Sequence, residues 1–318
     1  MGLVAHETTA TCRSLPLASF PFPVSYVAWH SPDSRFPIPD SRFPKTMRPS
    51  SLLLPLALLA CAPASSARVA PDTPLVVLVF NIHAGKDAAG IHNLQRVAET
   101  ARTAGADLLL LQEVDRLTTR SGGEDHVARL SALTGMRGAF GKTLDYQGGE
   151  YGIALLSRWP IARDTLHPLP IDPPQARAGG SYEPRGAQYA AIVVGADTVH
   201  VFNTHLDASR DDRNRQQEAR ALLALAAPLL DRGAPVMIGG DLNSLPGSAV
   251  VELLTAGRLR DAWLDCGSGE GFTFPDSLPV RRIDYLLLSP ALACTGAEVL
   301  GAGPSDHRGV VVRVRVRE

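Results

Sequence analysis

The sequence lacks the features that would fix a class by composition alone. It has only four cysteines in 318 residues, too few for a disulfide-dense scaffold, and their spacing does not suit zinc. Neither sign of charge dominates, with 31 Lys and Arg against 32 Asp and Glu. Near-neutrality gives no reason to expect a protein built to coat nucleic acid or an acidic membrane. No apolar run approaches the roughly 20 residues of a membrane-spanning helix, which excludes a polytopic membrane protein. What is present is an ordinary globular mixture, 45% hydrophobic and 20% charged. The length permits one large or two medium domains.

The N-terminal stretch does not read as part of a core. Residues 1–46 carry many prolines and the repeat Pro32-Asp-Ser-Arg-Phe-Pro37, Pro39-Asp-Ser-Arg-Phe-Pro44. Met47-Arg48-Pro49 and the apolar run Ser51–Ala60 then resemble the basic and hydrophobic parts of a signal peptide. We therefore expect 1–46 to be a gene-start artefact or a disordered leader. Residues 47–67 are expected to be a signal peptide with a short linker, ahead of a catalytic domain over 75–318. Leu58-Leu-Ala-Cys61 resembles a lipobox, making Cys61 a lipidation site and the protein a membrane-anchored lipoprotein. Ser65-Ser-Ala67 would instead release a periplasmic or secreted protein. With Cys61 in the signal segment, Cys266 and Cys294 remain in the body, either paired or as two buried thiols.

The body reads as one layered α/β domain. Leu75–Phe80 and Asp107–Glu113 are buried-strand runs, separated by an amphipathic helix over Ile91–Ala104. Further strands are expected at 152–156, 190–194, 199–203, 236–239, 283–288 and 310–316. Helices are expected at 126–134, 213–230 and 248–256, and a long Pro- and Gly-rich loop at 169–184. The clustered basic residues Arg213, Arg215, Arg281 and Arg282 read as solvated faces.

Polar residues stand at the ends of these strands: Asn81, Glu113, His205, Asp241, Asn243, Asp284, Asp306 and His307. Strand ends converge on one edge of a layered fold. The residue types suit metal-assisted hydrolysis of a phosphate ester. Glu113, Asp306 and the amide oxygen of Asn81 offer a hard cation oxygen ligands. Asp241, Asp284 and His307 can activate or orient a water. Asn243, His205 and Arg185 can donate to the phosphoryl oxygens. Singly, each has a bland reading as a turn or structural residue. His83, His92, His126, His167, His200 and Asp207 keep that reading.

Seven short motifs in order carry a resemblance. They are Phe80-Asn81, Gln112-Glu113, Tyr151–Arg158, Asn203-Thr-His-Leu206, Gly240-Asp-Leu-Asn243, Arg282-Ile-Asp-Tyr285 and Ser305-Asp-His307. Together they resemble the endonuclease/exonuclease/phosphatase superfamily. The resemblance implies a DNase I-like, four-layer sandwich: two mixed β-sheets face to face, flanked by helices. It implies Glu113, Asn81 and Asp306 around Mg²⁺ or Mn²⁺, and Asp241 and Asn243 orienting the nucleophile and phosphate. His205 would contact phosphate, and Asp284 would fix the tautomer of His307. Tyr151 and Arg185 match weaker phosphate-positioning residues.

Substrate stays open at this level. An exported phosphodiesterase or nuclease is the first expectation, a phospholipid- or inositol-phosphate-directed enzyme the second. A surface binding lipoprotein that has lost turnover is a third, of another class. Membrane contact is expected only through a lipid anchor, and the chain is expected to be a monomer.

Overall fold

The computed structural model describes residues 74–175 and 177–317. The expected leader, signal segment and Cys61 lie outside the described residues. In chain order the fold begins β1 (Leu75–Asn81), α1 (Leu94–Thr103), β2 (Leu108–Arg116), α2 (His126–Thr134), β3 (Arg137–Tyr146) and β4 (Gly149–Ser157). It continues through β5 (Ile161–Pro168), β6 (Gly186–Val194), β7 (Asp197–His205), α3 (Arg213–Asp231) and β8 (Val236–Asp241). It closes with α4 (Ala249–Thr255), β9 (Arg260–Asp261), α5 (Ala262–Cys266), β10 (Asp284–Leu288), β11 (Leu292–Val299) and β12 (Val310–Val316).

The strands form two six-stranded sheets, ordered β11-β12-β1-β2-β4-β3 and β5-β6-β7-β8-β10-β9. Both are mixed, because β1–β2 and β7–β8 pair parallel among antiparallel neighbours. Their central strands are apolar over most of their length, as strands covered on both faces must be, and turn polar at their ends. Val77, Val79, Leu108 and Leu110 of the first sheet share a core with Val201, Met237 and Leu286 of the second. The alternate residues Leu78, Phe80, Leu109 and Leu111 pack outward against α1 and α2. Phe202, Ile238 and Leu287 pack outward against Ala219, Leu222 and Ala226 of α3 and Val250 and Leu254 of α4. Each fully buried Leu, Val or Phe contributes roughly 1.5–3 kcal/mol. The layers run helix, sheet, sheet, helix, as the resemblance implied.

Several boundaries differ from the sequence reading. α1 buries Leu94, Val97, Ala98 and Ala101, the predicted i, i+3, i+4, i+7 stripe, but it starts at Leu94 rather than Ile91. The Asp87 side chain accepts from the backbone of Ala89 and Ile91, and that turn leaves Ile91 exposed. β3, β5, β9, β11 and α5 carried no strand or helix expectation. Arg215 and Arg282 are buried, not solvated. Arg282 pairs with Asp261 at 2.6 Å, and Arg215 donates to the carbonyls of Asp207 and Ser209. Arg213 and Arg281 are exposed as expected. Cys266 of α5 and Cys294 of β11 form a disulfide with Cα atoms 5.9 Å apart, which decides between the two cysteine readings. Among the described residues, no helix is long and apolar enough to cross a membrane.

Candidate active site

Strand pleating alone gathers most of the expected residues. Residues two apart on a strand share a face. Asn81 thus follows Val77 and Val79 toward the other sheet, and Asp241 follows Met237. His205 follows Val201, and Asp284 shares a face with Leu286. In the second sheet, Asp284 lies opposite Asp241 and His205 lies beside it. The side chains therefore leave the intersheet core at one edge.

Glu113 is the exception, because parity would place it with Leu109 and Leu111 on the outer face. A bulge between Leu111 and Val114 and a left-handed backbone at Glu113, φ 56°, turn it inward. Its Oε1 accepts from Asn81 Nδ2 at 3.2 Å. Such backbone costs a non-glycine residue about 1–3 kcal/mol and clusters at functional sites. Asn243, φ 48°, is a second case. Its backbone N–H donates to Asp241 Oδ1 at 2.8 Å. Its Nδ2 reaches Leu206 O at 3.0 Å and lies 3.2 Å from His205 Nε2.

Asn81 ties the two sheets together, since Nδ2 also donates to Asp241 Oδ2 at 3.1 Å. Its Oδ1 accepts from the backbone of His83. Across the site, His307 Nδ1 lies 2.9 Å from Asp284 Oδ2, and its Nε2 lies 3.7 Å from Asp241 Oδ2. His205 Nε2 is 3.5 Å from the same Asp241 oxygen. Asp306 sits at the rim, and the Ser305 hydroxyl donates to Asn81 O at 2.7 Å and lies 3.3 Å from Asp306 Oδ1.

The electrostatics separate these groups. Burial, reinforced by the neighbouring Asp284 charge, pushes the Asp241 carboxyl up to about 7. Burial opposes charge on His307, but Asp284 and Asp241 outweigh it and push the imidazole up to about 10. His205 moves the other way: burial, then Arg185 and His307, hold it well below the usual histidine range. Its neutral Nε2 can accept from Asn243 or donate to Asp241, according to tautomer.

The donor set fits a hard cation, with one departure from expectation. Among the described residues, Asp241, Asp284 and His307 place ligand atoms within 4.8 Å of one another. In this cluster, His307 Nδ1 is hydrogen-bonded to Asp284, while its Nε2 meets Asp241 only at ion-pair distance, 3.7 Å. Glu113 and Asp306 supply carboxylate oxygens beside it, as Mg²⁺ or Mn²⁺ requires. Asp284 Oδ1 is buried with no hydrogen-bond partner among the described residues. The oxygen of Asn81, expected at the metal, faces His83, and Asn81 could ligate only by turning its amide over.

Arg185 and Tyr151 border the site in a closed form. With Glu183 and His205 they line one small void. Arg185 Nη1 pairs with Glu183 Oε1 at 2.8 Å, and Nη2 donates to Gly180 O. The Tyr151 hydroxyl is buried without a partner among the described residues. Burial pushes its pKa well up, with Glu113 and Glu183 adding to the shift. Three contributors had no expected role. Ser305 buttresses Asn81, Glu183 holds Arg185, and Phe274 packs on the His307 ring with centroids 4.7 Å apart. Ser305 and Glu183 lie beside residues already singled out, whereas Phe274 lies in a loop with no pattern to mark it.

Known proteins share this fold. The family model described as Endonuclease/Exonuclease/phosphatase family matches residues 78–307. The uncharacterized protein YbhP of Escherichia coli K12 is 28% identical over 227 residues, 68% of this chain and 85% of that protein. Among solved structures, an endonuclease/exonuclease/phosphatase from Bacteroides vulgatus matches with TM-score 0.64 at 20% identity, over 77% of this chain and 100% of that one. The mannosyl-6-phosphatase of Bacteroides thetaiotaomicron gives 0.62 at 18% identity, over 76% and 99%. Truncated TDP2 of Caenorhabditis elegans gives 0.57 at 21% identity, over 76% and 98%. With the family model spanning most of the chain and the strand-end residues on one edge, the chain belongs to the endonuclease/exonuclease/phosphatase family of hydrolases.

Proposed function

We propose that the protein is an exported, metal-dependent phosphodiesterase of the nuclease type. The observation that carries this is the position of Asp241. It is faced by an imidazolium held from behind by Asp284, and Asn81 links it to Glu113. A water bonded to Asp241 would give its proton to that carboxylate as the water attacks phosphorus. His307 would place positive charge beside the phosphoryl oxygens as their negative charge grows. Asn243, fixed by its strained backbone, would orient the phosphate. Mg²⁺ or Mn²⁺ held by Glu113 and Asp306 would supply Lewis-acid stabilisation of the same oxygens and of the leaving group.

Charge favours a diester. A phosphodiester carries one negative charge and a monoester up to two. Besides the proposed metal, whose charge Glu113 and Asp306 would offset, His307 is the one cation facing Asp241 among the described residues, because Arg185 is matched by Glu183. The Cys266–Cys294 disulfide supports export, since such bonds persist in oxidising compartments. A lipid anchor at Cys61 is part of this proposal, and palmitate labelling that disappears in Cys61→Ala would support it.

The test is hydrolysis of bis(p-nitrophenyl) phosphate with Mg²⁺ or Mn²⁺. Activity should vanish with EDTA and in Glu113→Ala, and kcat/KM should rise with pH along a limb near 7 as Asp241 deprotonates. Turnover indifferent to EDTA would overturn the metal role. A folded protein that turns over no phosphate ester would return the binding-lipoprotein reading.

A further inference from the structure

A second polar contact joins the two sheets, deeper than Asn81. Gln112 continues the inward stripe of Leu108 and Leu110 on β2, and Asn203 that of Val199 and Val201 on β7. Both side chains are fully buried. Gln112 Nε2 donates to Asn203 Oδ1 at 2.7 Å and to Leu110 O at 3.0 Å. Gln112 directly precedes Glu113, and Asn203 lies two residues before His205. An apolar pair of the same shape would fill this place at no loss of stability. Here Gln112 Oε1 is buried with no partner among the described residues, and such atoms are rare because they are costly. Stability alone therefore does not account for the pair.

Its geometry does, because the pair grips the bulge of β2. Leu111 lies opposite Ala154 of β4, and Val114 opposite Gly152, so β2 takes three steps where β4 takes two. Asn203 Nδ2 reaches across from the other sheet and donates to Leu111 O at 3.1 Å and to Ala154 O at 2.9 Å. These carbonyls belong to the last paired residues before the ladder breaks, one on each strand. Both hydrogens of the Asn203 amide are spent there, and its oxygen is held by Gln112. On the other side, the Gln112 carbonyl accepts from the Ile82 backbone at 3.1 Å, which pins the bulge to the turn after Asn81. Gly239 of β8 lies beside Asn203, and a Cβ there would stand 2.7 Å from Leu110 Cδ1. Glycine thus lets the sheets approach closely enough for the amide to span them.

We propose that Asn203 is a positioning residue for Glu113. Its amide clamps the bulge from the opposite sheet and so keeps Glu113 in the left-handed backbone, φ 56°, that aims its carboxylate into the site. That conformation is unfavourable for a non-glycine residue and persists only where its surroundings enforce it. An unclamped bulge would relax toward regular pairing, where parity sends Glu113 to the outer face. The proposal rests on the reading of Glu113 as a metal ligand. Asn203 itself touches neither metal nor substrate in this role.

Mn²⁺ binding to the full chain, followed by electron paramagnetic resonance without substrate, tests the clamp apart from turnover. Asn203→Leu keeps the size of the side chain and removes its bonds to Gln112, Leu111 and Ala154. Its Kd for Mn²⁺ should rise about 10–100-fold, as when a group that orients a metal ligand is lost. His205 is no ligand in the proposed site, so this shift reads Glu113 rather than His205. Backbone hydrogen exchange at Ile82, whose amide bonds to Gln112, should quicken as well. Val199→Ala is the control. It opens a cavity on the same strand, four residues back, and should lose stability with the Mn²⁺ Kd unchanged. If Asn203→Leu does not fold, Asn203→Ser, too short to reach either carbonyl, is read in the same way. A Kd within two-fold of the parent overturns the proposal, as does an equal rise in Val199→Ala. A parent that binds no Mn²⁺ fails the metal reading instead, and Ile82 exchange then judges the clamp. Exchange faster in Asn203→Leu than in Val199→Ala upholds it, and equal exchange in the two overturns it.

Discussion

His205 and His307 approach the same oxygen of Asp241, at 3.5 and 3.7 Å. They are also equally buried, 4% and 5% exposed. Yet His205 is held neutral and His307 charged. Neither distance to Asp241 nor burial separates them. The difference lies behind the rings, where His307 Nδ1 meets Asp284 at 2.9 Å and His205 has Arg185 and His307 as positive neighbours. One carboxylate behind an imidazole thus turns a neutral hydrogen-bonding group into a fixed cation.

Replacing that carboxylate should abolish the contrast. Asp284→Asn keeps the shape of the contact and removes its charge. His307 should then titrate downward toward the range of His205, and kcat should fall by roughly 10²–10⁴. Nitrogen NMR of the two rings with steady-state kinetics checks both. A variant with kcat within two-fold of the parent would remove Asp284–His307 from the reaction.

A second buried pair sharpens the comparison. Glu183–Arg185 is also a carboxylate–cation pair beside His205, but it is closed on itself, with the guanidinium also bonded to Gly180. Breaking it by Glu183→Ala should cost about 3–5 kcal/mol, because a buried charge loses its partner. Replacing both by Leu and Met should restore most of that stability. Urea unfolding of the single and double variants measures it. Retained kcat in the double variant would assign the pair to holding the 169–185 loop. Lost kcat in a stable double variant would assign Arg185 to the phosphate.

The sequence made one part of this molecule legible and hid another for the same physical reason. β1, β2, β8 and β10 sit between neighbours and under helices, so they must be apolar runs, and their polar ends stand out. β3, β5, β9 and β11 are the four edge strands. β5 buries none of its residues fully, and β3 and β11 bury few. With one neighbour and a solvated face, an edge strand needs no apolar run. Asp241, Asp284 and His205 could be anticipated because they continue the inward stripe of a strand. Glu113 reaches the site only through a bulge, which pattern does not show, so its motif had to mark it. Phe274 lies in a loop, where placement depends on long-range contacts.

Per pH unit, the smallest expected effect is on stability, again read through His307. Its folded pKa, about 10, lies above the ordinary 6.5, so the native state binds its proton more tightly than the unfolded chain does. That stabilisation is complete below about pH 6.5 and is lost as pH rises through 10, at no more than about 1.4 kcal/mol per pH unit. Asp284→Asn, by lowering the folded pKa of His307, should remove this component. Urea midpoints in EDTA should therefore show the parent's advantage over Asp284→Asn narrowing steadily between pH 6.5 and 10. His205 cannot produce that trend, because its depressed pKa leaves it neutral throughout this range. An advantage constant with pH would mean that Asp284 stabilises the fold without holding the proton on His307, and the opposite charge states of the two histidines would lose their cause.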